Sequence, residues 1–262
     1  MDNKTDVVSV LGIDLGSRNI KLSLMKNDSV VCSDMYDTVE FYRKFGIRSD
    51  EGLQIDLASL GFGAVERCVA TGYGRTAAAI GGAGNITEIT AHYLGALFQT
   101  NLEDFTLLDI GGQDFKIISV VSGELRDFVT NDKCAASTGR YLENMANVLG
   151  ITLEEISRYH ENPVELTTTC AIFSESELVG HIVRGETVER LAAGVNRSIV
   201  ERFLPYLNRF GDGPVVLSGG VAHNGAVKRL MTEQTGREVV MVDDPVHNGA
   251  IGCCVSGMGD EV

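Results

Sequence analysis

Two short stretches of this 262-residue chain bring a carboxylate, glycine and a hydroxyl or amide side chain onto one turn: Asp14-Leu15-Gly16-Ser17 and Asp109-Ile110-Gly111-Gly112-Gln113-Asp114. Glycines in a tight hairpin carry no Cβ, so backbone N–H groups can point together at an anion. Ser17 adds a hydroxyl donor. Each aspartate closes an apolar run, LGID and TLLD, where a carboxylate is costly to bury without a partner. Mg²⁺, usually held through carboxylates and waters, is a fitting partner for Asp14 and Asp109. A third glycine turn, Ser218-Gly219-Gly220-Val221-Ala222, follows the apolar Val215-Val216-Leu217. Any one of these turns also reads as a structural hairpin glycine. Together they describe two phosphate loops and an adenosine-side turn. The chain has neither a P-loop (GxxxxGK[ST]) nor GxGxxG in a strand-to-helix turn, which disfavours those two routes to a nucleotide.

Thiolate is the second candidate chemistry. Cys134 lies in NDKCAASTGR (131–140) and Cys170 in TTTCAIFSESE (167–177). Both immediately precede an expected helix, whose positive end lowers a thiol pKa and favours an anionic ligand set. Two cysteines supply half of a four-cysteine iron–sulfur site. A twofold dimer brings the same patch from each copy and supplies the other half. The alternative is a pair of helix-start thiols that only pack. Cys32, Cys68, Cys253 and Cys254 read as buried thiols, and with no CxxC the six cysteines form neither a zinc ribbon nor a disulfide framework. His92, His160, His181, His223 and His247 show no metal spacing and read as surface or capping groups. Glu175, Glu177, Asp243 and Asp244 read as solvated carboxylates.

The elements that position these residues follow from an internal repeat. LGIDLGSRNIKLSLMKNDSVV (11–31) aligns with TLLDIGGQDFKIISVVSGELR (106–126): Asp14 with Asp109, Gly16 with Gly111, Lys21 with Lys116. The offset, 109 minus 14, is 95 residues. Each copy reads strand, glycine turn, strand, polar turn, strand. Helices are expected over 86–99, over 138–149 with Thr138 as N-cap and Gly150 as its stop, over 171–184 and over 187–209. Two more are expected from about Asn224 and from Asn248. Val69-Ala70-Thr71-Gly72 reads as a short buried strand, whereas 36–66 shows no clear strand pattern. The architecture is α/β, in two halves of 1–102 and 103–262.

Composition limits the partners. Lys and Arg number 22 against 36 Asp and Glu, a net charge of −14. That balance repels free nucleic acid and anionic membranes, while backbone amides can still hold an anionic small ligand. With 44% hydrophobic residues the chain buries a core, and with no Trp it offers poor base-stacking platforms. The apolar stretch near the start is too short for a signal peptide, and no run reaches the length of a membrane span. The expected location is the cytoplasm.

On the motifs GIDLGS, DIGGQD and LSGGVAHNG, the chain resembles the actin, Hsp70 and sugar-kinase superfamily of ATPases, whose fold is a duplicated ribonuclease-H-like one. NDKCAASTGR, TTTCAIFSESE and VATGYGR (69–75) further resemble the 2-hydroxyacyl-CoA dehydratase activators, or archerases, of the BadF/BadG/BcrA/BcrD type. The superfamily implies ATP in a cleft between the two halves with Mg²⁺ on its phosphates, and a domain angle that changes with nucleotide. The activator branch implies one [4Fe-4S] cluster per homodimer, held by Cys134 and Cys170 of each chain. It also implies ferredoxin or flavodoxin as electron donor, and as client a 2-hydroxyacyl-CoA dehydratase or similar iron–sulfur reductase. The expected nucleotide contacts are Asp14, Gly16, Ser17, Arg18, Lys21, Gly111, Gly112, Gln113, Asp132, Gly219, Gly220, Val221 and Asn224. Asn248 and Gly249 are suggested by the resemblance alone. Asp14 and Asp109 would hold the water shell of Mg²⁺, and Gln113 or Asp109 would orient the attacking water. A sugar or acid kinase of the same superfamily without a cluster is the alternative, and a non-redox nucleotide switch a third reading.

Overall fold

The computed structural model describes residues 8–50, 52–76, 78–131, 135–167 and 170–259. The chain divides into two compact units, residues 1–101 with 246–262, and 102–245.

The first unit opens with β1 (Ser9–Leu15), β2 (Asn19–Lys26) and β3 (Ser29–Asp37). β1 is buried along its whole length, as a central strand with both faces covered must be. β2 turns into β3 through Asn27 and Asp28 at φ 44° and 59°, the left-handed pair of a two-residue hairpin. Then come α1 (Thr38–Phe45), β4 (Gly46–Ser49), β5 (Gly52–Ile55), β6 (Arg67–Thr71), β7 (Ala78–Ile80), β8 (Gly84–Asn85) and α2 (Glu88–Thr100). The sheet order is β3-β2-β1-β6-β8: an antiparallel meander continued by parallel strands. The stretch 36–66, where no pattern was expected, holds α1 and the β4–β5 hairpin, which with β7 forms a separate three-stranded sheet. The side chain of Asp37 caps α1 by accepting from the N–H groups of Val39 and Glu40. Phe41 and Phe45 pack inward with ring centroids 5.1 Å apart. Aromatic contacts rather than alternation organise this segment.

In the second unit β9 (Phe105–Ile110), β10 (Phe115–Val121) and β11 (Glu124–Asn131) repeat the meander. The unit continues with α3 (Gly139–Leu149), α4 (Leu153–Ile156), α5 (Ala171–Val183), α6 (Val188–Leu207), β12 (Val215–Ser218), α7 (Gly225–Thr235) and β13 (Val239–Met241). The sheet order β11-β10-β9-β12-β13 matches that of the first unit strand for strand. This is the duplicated ribonuclease-H-like fold of actin-like ATPases. Buried α6 is the spine of the unit's core, with Phe203 edge-on to Phe115 at 5.1 Å. Gly150 ends α3 in the left-handed conformation, as expected, but the Thr138 side chain makes no cap bond.

The last helix, α8 (Asn248–Met258), differs from the division at 102/103: it is part of the first unit. Its small residues allow it to lie against backbone. A Cβ on Gly252 would meet the Ala91 carbonyl at 1.7 Å, one on Gly95 the Asn248 carbonyl at 2.1 Å, and one on Gly12 the Ala250 carbonyl at 2.0 Å. α8 therefore sits directly on β1 and α2. Among the described residues no helix is long and apolar enough to cross a membrane.

Overpacking at such a contact costs about 1–3 kcal/mol or more, so Gly252→Ala is expected to lower the urea midpoint of unfolding. Gly180→Ala in α5, where a new Cβ meets nothing within 4 Å, is expected to raise stability by about 0.4–1 kcal/mol in the same measurement.

Candidate functional site

The repeat places equivalent residues in equivalent registers. Asp14 on β1 stands opposite Lys21 on β2, and Asp109 on β9 opposite Lys116 on β10. Lys21 Nζ lies 3.0 Å from Asp14 Oδ2. Lys116 Nζ lies 3.7 Å from Asp109 Oδ2 and 2.6 Å from Asp114 Oδ2. The buried strand-end carboxylates thus each have a partner within the chain, a cross-strand lysine. Ser218 Oγ donates to Asp109 Oδ1 at 2.6 Å, a charge-assisted bond worth about 1.5–3 kcal/mol. Removing one member of such a buried pair costs about 3–5 kcal/mol. Carboxylate oxygens are the donors Mg²⁺ prefers, so Asp14 in its unit and Asp109 in its own each have the donor chemistry to hold waters of that ion beside the lysine.

The repeat extends further than sequence alignment showed. Thr71 on β6 pairs with Asp14, and Ser218 on β12 pairs with Asp109. Each is followed by a glycine at positive φ, 95° at Gly72 and 80° at Gly219. A Cβ on Gly72 would sit 2.6 Å from the Leu15 carbonyl, and one on Gly219 2.3 Å from the Ile110 carbonyl. Leu15 and Ile110 are themselves repeat partners. Thr71-Gly72 is therefore the counterpart of Ser218-Gly219. The signal was a short apolar strand ending in Thr-Gly or Ser-Gly, hidden because the insertions before the two strands differ in length.

Each glycine turn is docked on the start of a helix. In the first unit the Thr38 N–H donates to Arg18 O at 3.0 Å and its Oγ1 to Gly16 O at 2.9 Å. In the second the N–H groups of Gly139 and Arg140 donate to Gly111 O and Gly112 O at 2.9 and 3.0 Å. Val221 lies against this junction, its Cγ2 3.7 Å from where a Cβ of Gly139 would be. The second unit therefore brings together Asp109, the Gly111–Gln113 turn, the Gly219–Val221 turn and the start of α3. Ser17 and Gln113 are exposed on their turns, and Arg18 is half-buried.

Asn224 sits behind the Gly219–Val221 turn. Its Oδ1 accepts from the Val227 N–H at 3.0 Å and its Nδ2 donates to Asn196 Oδ1 at 2.9 Å. Asn196 in turn donates to the carbonyls of Ile156 and Tyr159. The side chain braces the turn. In the first unit Asn248 donates to His92 O at 2.9 Å. A Cβ on Gly249 would be 3.3 Å from Asp14 Oδ2 and 3.1 Å from His92 Nε2. His92 is buried beside Asp14 rather than on the surface, because α8 has no side chain at 249 to fill that space.

Asp132 and Cys134 lie outside the described residues. A 3-10 turn, Ala135–Ser137, precedes α3, which begins after Thr138 as expected. The Arg202 guanidinium on α6 donates to Ala136 O and stacks 5.1 Å from the Tyr141 ring. Cys170 is half-buried at the N-cap of α5, with no cap bond from its thiol. Ser174 donates to Cys170 O through N–H and Oγ, both at 2.9 Å. Glu177 Oε1 accepts from Thr167 N–H and Oγ1 at 2.8 and 2.9 Å. Glu175 Oε1 accepts from Asn144 on α3 at 2.6 Å. These two carboxylates bond within the fold rather than only meeting water, because α5 brings them to Asn144 and Thr167. Among the described residues no three His, Cys, Asp or Glu side chains converge as they would on a metal ion.

The Cys170 thiol has partial solvent access. Three other thiols do not. Burial pushes Cys68 and Cys254 up to about 12, and Cys253 well above the ordinary thiol value through burial and then the Asp14 carboxylate. Cys32 is exposed on β3, and is raised by partial desolvation and then by Asp34. At pH 8 a thiol at about 12 is roughly 10⁻⁴ thiolate. A short iodoacetamide pulse on iron-free protein, read by peptide mass spectrometry, is therefore expected to label Cys170 and Cys32 and spare Cys68, Cys253 and Cys254.

Comparison with known proteins bears on the family and the fold. The model of the BadF/BadG/BcrA/BcrD ATPase family matches residues 11–257. The chain is 33% identical to the (R)-2-hydroxyglutaryl-CoA dehydratase activating ATPase of Acidaminococcus fermentans, covering 95% of this chain and 96% of that one. It is 31% identical to the 2-hydroxyisocaproyl-CoA dehydratase activator of Clostridioides difficile, covering 94% and 93%. The solved structure of the activator of the 2-hydroxyisocaproyl-CoA dehydratase from Clostridium difficile with bound ADPNP superposes with a TM-score of 0.81 at 30% identity, covering 95% of this chain and 94% of that one.

Proposed function

The chain belongs to the BadF/BadG/BcrA/BcrD ATPase family, and on that premise we propose that it is an ATP-dependent activator delivering one electron to a partner iron–sulfur enzyme. The client is a 2-hydroxyacyl-CoA dehydratase or a related reductase, and the electron donor a ferredoxin or flavodoxin. The reading draws support from the activator relatives and from one observation above all. The carbonyls of the second glycine turn are hydrogen-bonded to the first residues of α3, which in turn holds α5 through Asn144 and Glu175. α3 follows Cys134 in sequence and Cys170 is the N-cap of α5, so the second glycine turn and the two helices that follow the cysteines belong to one bonded framework.

In this mechanism the phosphates of ATP lie on Gly16 and Ser17 of the first turn, with Arg18 and Lys21 as cations, and on Gly111, Gly112 and Gln113 of the second. Gly219, Gly220 and Val221 face the sugar and base, Asn224 braces them, and Asp132 completes the set. Asp14 and Asp109 hold the waters of Mg²⁺, which when bound supplies charge neutralisation on the phosphates. Gln113 or Asp109 orients the attacking water; phosphoryl transfer depends chiefly on such positioning. Cys134 and Cys170 from each of two copies would ligate one [4Fe-4S] cluster, whose chemistry when bound is one-electron storage and transfer. A coupling of roughly 1–3 kcal/mol between turn and cysteine segments corresponds to about 40–130 mV for one electron. The chain's own part is to carry a change at Gly111 and Gly112 through the Gly139 and Arg140 N–H groups into α3.

Protein purified without oxygen is expected to be brown and dimeric. Cys134→Ala and Cys170→Ala should each remove the visible absorbance and the EPR signal of the reduced protein, while Mg–ADP affinity stays within about threefold, well under one tenfold step of 1.4 kcal/mol. A colourless, monomeric wild type that consumes ATP only with a small hydroxylated acceptor would make this a kinase and refute the proposal.

A further inference from the structure

The two glycine turns share one frame and differ in charge. At an offset of 95 residues, 114 minus 19, Asn19 stands where Asp114 does. Lys21 therefore has Asp14 as its carboxylate neighbour on that turn, at 3.0 Å, and its side chain is 22% exposed. Lys116 is only 6% exposed and sits between two carboxylates, nearer Asp114 at 2.6 Å than Asp109 at 3.7 Å. Asp14 with Lys21 is neutral as a pair. Asp109, Lys116 and Asp114 together carry one net negative charge.

That difference bears on which form of the nucleotide each turn accepts. A polyphosphate approaching the first turn meets a balanced ion pair with a reachable ammonium. At the second it meets excess negative charge in partly buried surroundings, where like charges repel strongly. The turn becomes favourable when the nucleotide arrives with a cation. We propose that Asp114 and Lys116 set the Mg²⁺ requirement of the nucleotide site: Asp114 draws the Lys116 ammonium away from Asp109 and leaves the Asp109 carboxylate to the hydrated metal. Both are positioning residues, acting through Asp109. Asp114 is suited to the task because it is the outer carboxylate, 36% exposed, and part of the turn itself, its Oδ1 2.8 Å from where a Gly111 Cβ would be. Ser218 holds the other oxygen of Asp109 from the β12 side at 2.6 Å, which keeps that carboxylate in place as the ammonium shifts.

This inference rests on the proposed binding of Mg–nucleotide at these turns, and its test separates the two. Binding of ADP to the full-length protein is measured by isothermal titration across a range of Mg²⁺ concentrations, and again in EDTA. Asp114→Asn removes the nearer carboxylate, leaves Asp109 for the Lys116 ammonium and takes away one negative charge. It is expected to raise the Mg²⁺ concentration for half-maximal binding by about three- to tenfold and to tighten metal-free ADP binding by a similar factor. Lys116→Met is expected to shift both in the opposite direction, and its folding is checked by circular dichroism. If Lys116→Met does not fold, Asp114→Asn, a near-isosteric change at a partly exposed site, decides alone. General damage weakens binding with and without metal, whereas the proposal requires the two to move in opposite directions. A wild type that needs Mg²⁺ combined with an unshifted or lowered requirement in Asp114→Asn overturns this inference alone. A wild type whose ADP binding ignores Mg²⁺ overturns the Mg–nucleotide reading and this inference with it.

Discussion

A carboxylate at the buried end of a central strand must have its charge answered, and here the answer comes from the next strand of the same hairpin. Antiparallel pairing sets Asp14 against Lys21 and Asp109 against Lys116, so the seven-residue spacing of Asp and Lys is fixed by the register of a tight glycine turn. A longer turn would move the lysine out of reach, and a one-residue slip would put it on the opposite face of the sheet. The ion pair and the turn therefore constrain each other. The glycine on the neighbouring parallel strand, Gly72 or Gly219, follows from the same geometry, since its Cα passes against the backbone of Leu15 or Ile110 just beyond the aspartate. Acid, lysine, turn and neighbouring glycine form one structural unit, built twice.

That unit explains what could be read from sequence. The Asp, Gly and Lys positions of the two meanders are set by local pairing within about a dozen residues, and their identities survive in both copies at a constant offset. Local constraints leave local signatures. The small residues of α8 were likewise visible as a small-residue helix from Asn248, because close packing on β1 and α2 excludes side chains. What could not be read depends on which distant segments meet. Nothing between residues 103 and 262 indicates that α8 leaves the second unit. The match of Thr71-Gly72 to Ser218-Gly219 was masked by segments of unequal length, 36–66 among them, whose helix and hairpin are organised by Phe41, Phe45 and Tyr36 rather than by alternation. Glu175 and Glu177 looked solvated because their partners, Asn144 and Thr167, are brought to them only by the tertiary fold.

The cross-strand lysines also change the argument for a metal. An acidic strand end looks, in sequence, like a charge in need of Mg²⁺. In the fold that need is met before any ligand arrives, so a metal at Asp14 or Asp109 is justified by the phosphates it accompanies rather than by the stability of the apo-protein. This shifts the expected consequence of metal from folding to binding. On the proposed reading the ion pairs answer these carboxylates in the folded units, and linkage to Mg²⁺ would enter with nucleotide.

The two cysteine segments are not equivalent in this respect. The first N–H groups of a helix are the source of its positive end. In α3 those of Gly139 and Arg140 are taken by Gly111 O and Gly112 O, so the start of α3 is spent on the nucleotide turn. α5 begins at Cys170 itself, with the Cys170 carbonyl taken by Ser174. One helix is thus tied at its start to the second glycine turn, and the other has Cys170 as its N-cap residue. The Asn144–Glu175 bond joins the two helices, which gives the Gly111–Gln113 turn a bonded route to α5 by way of α3.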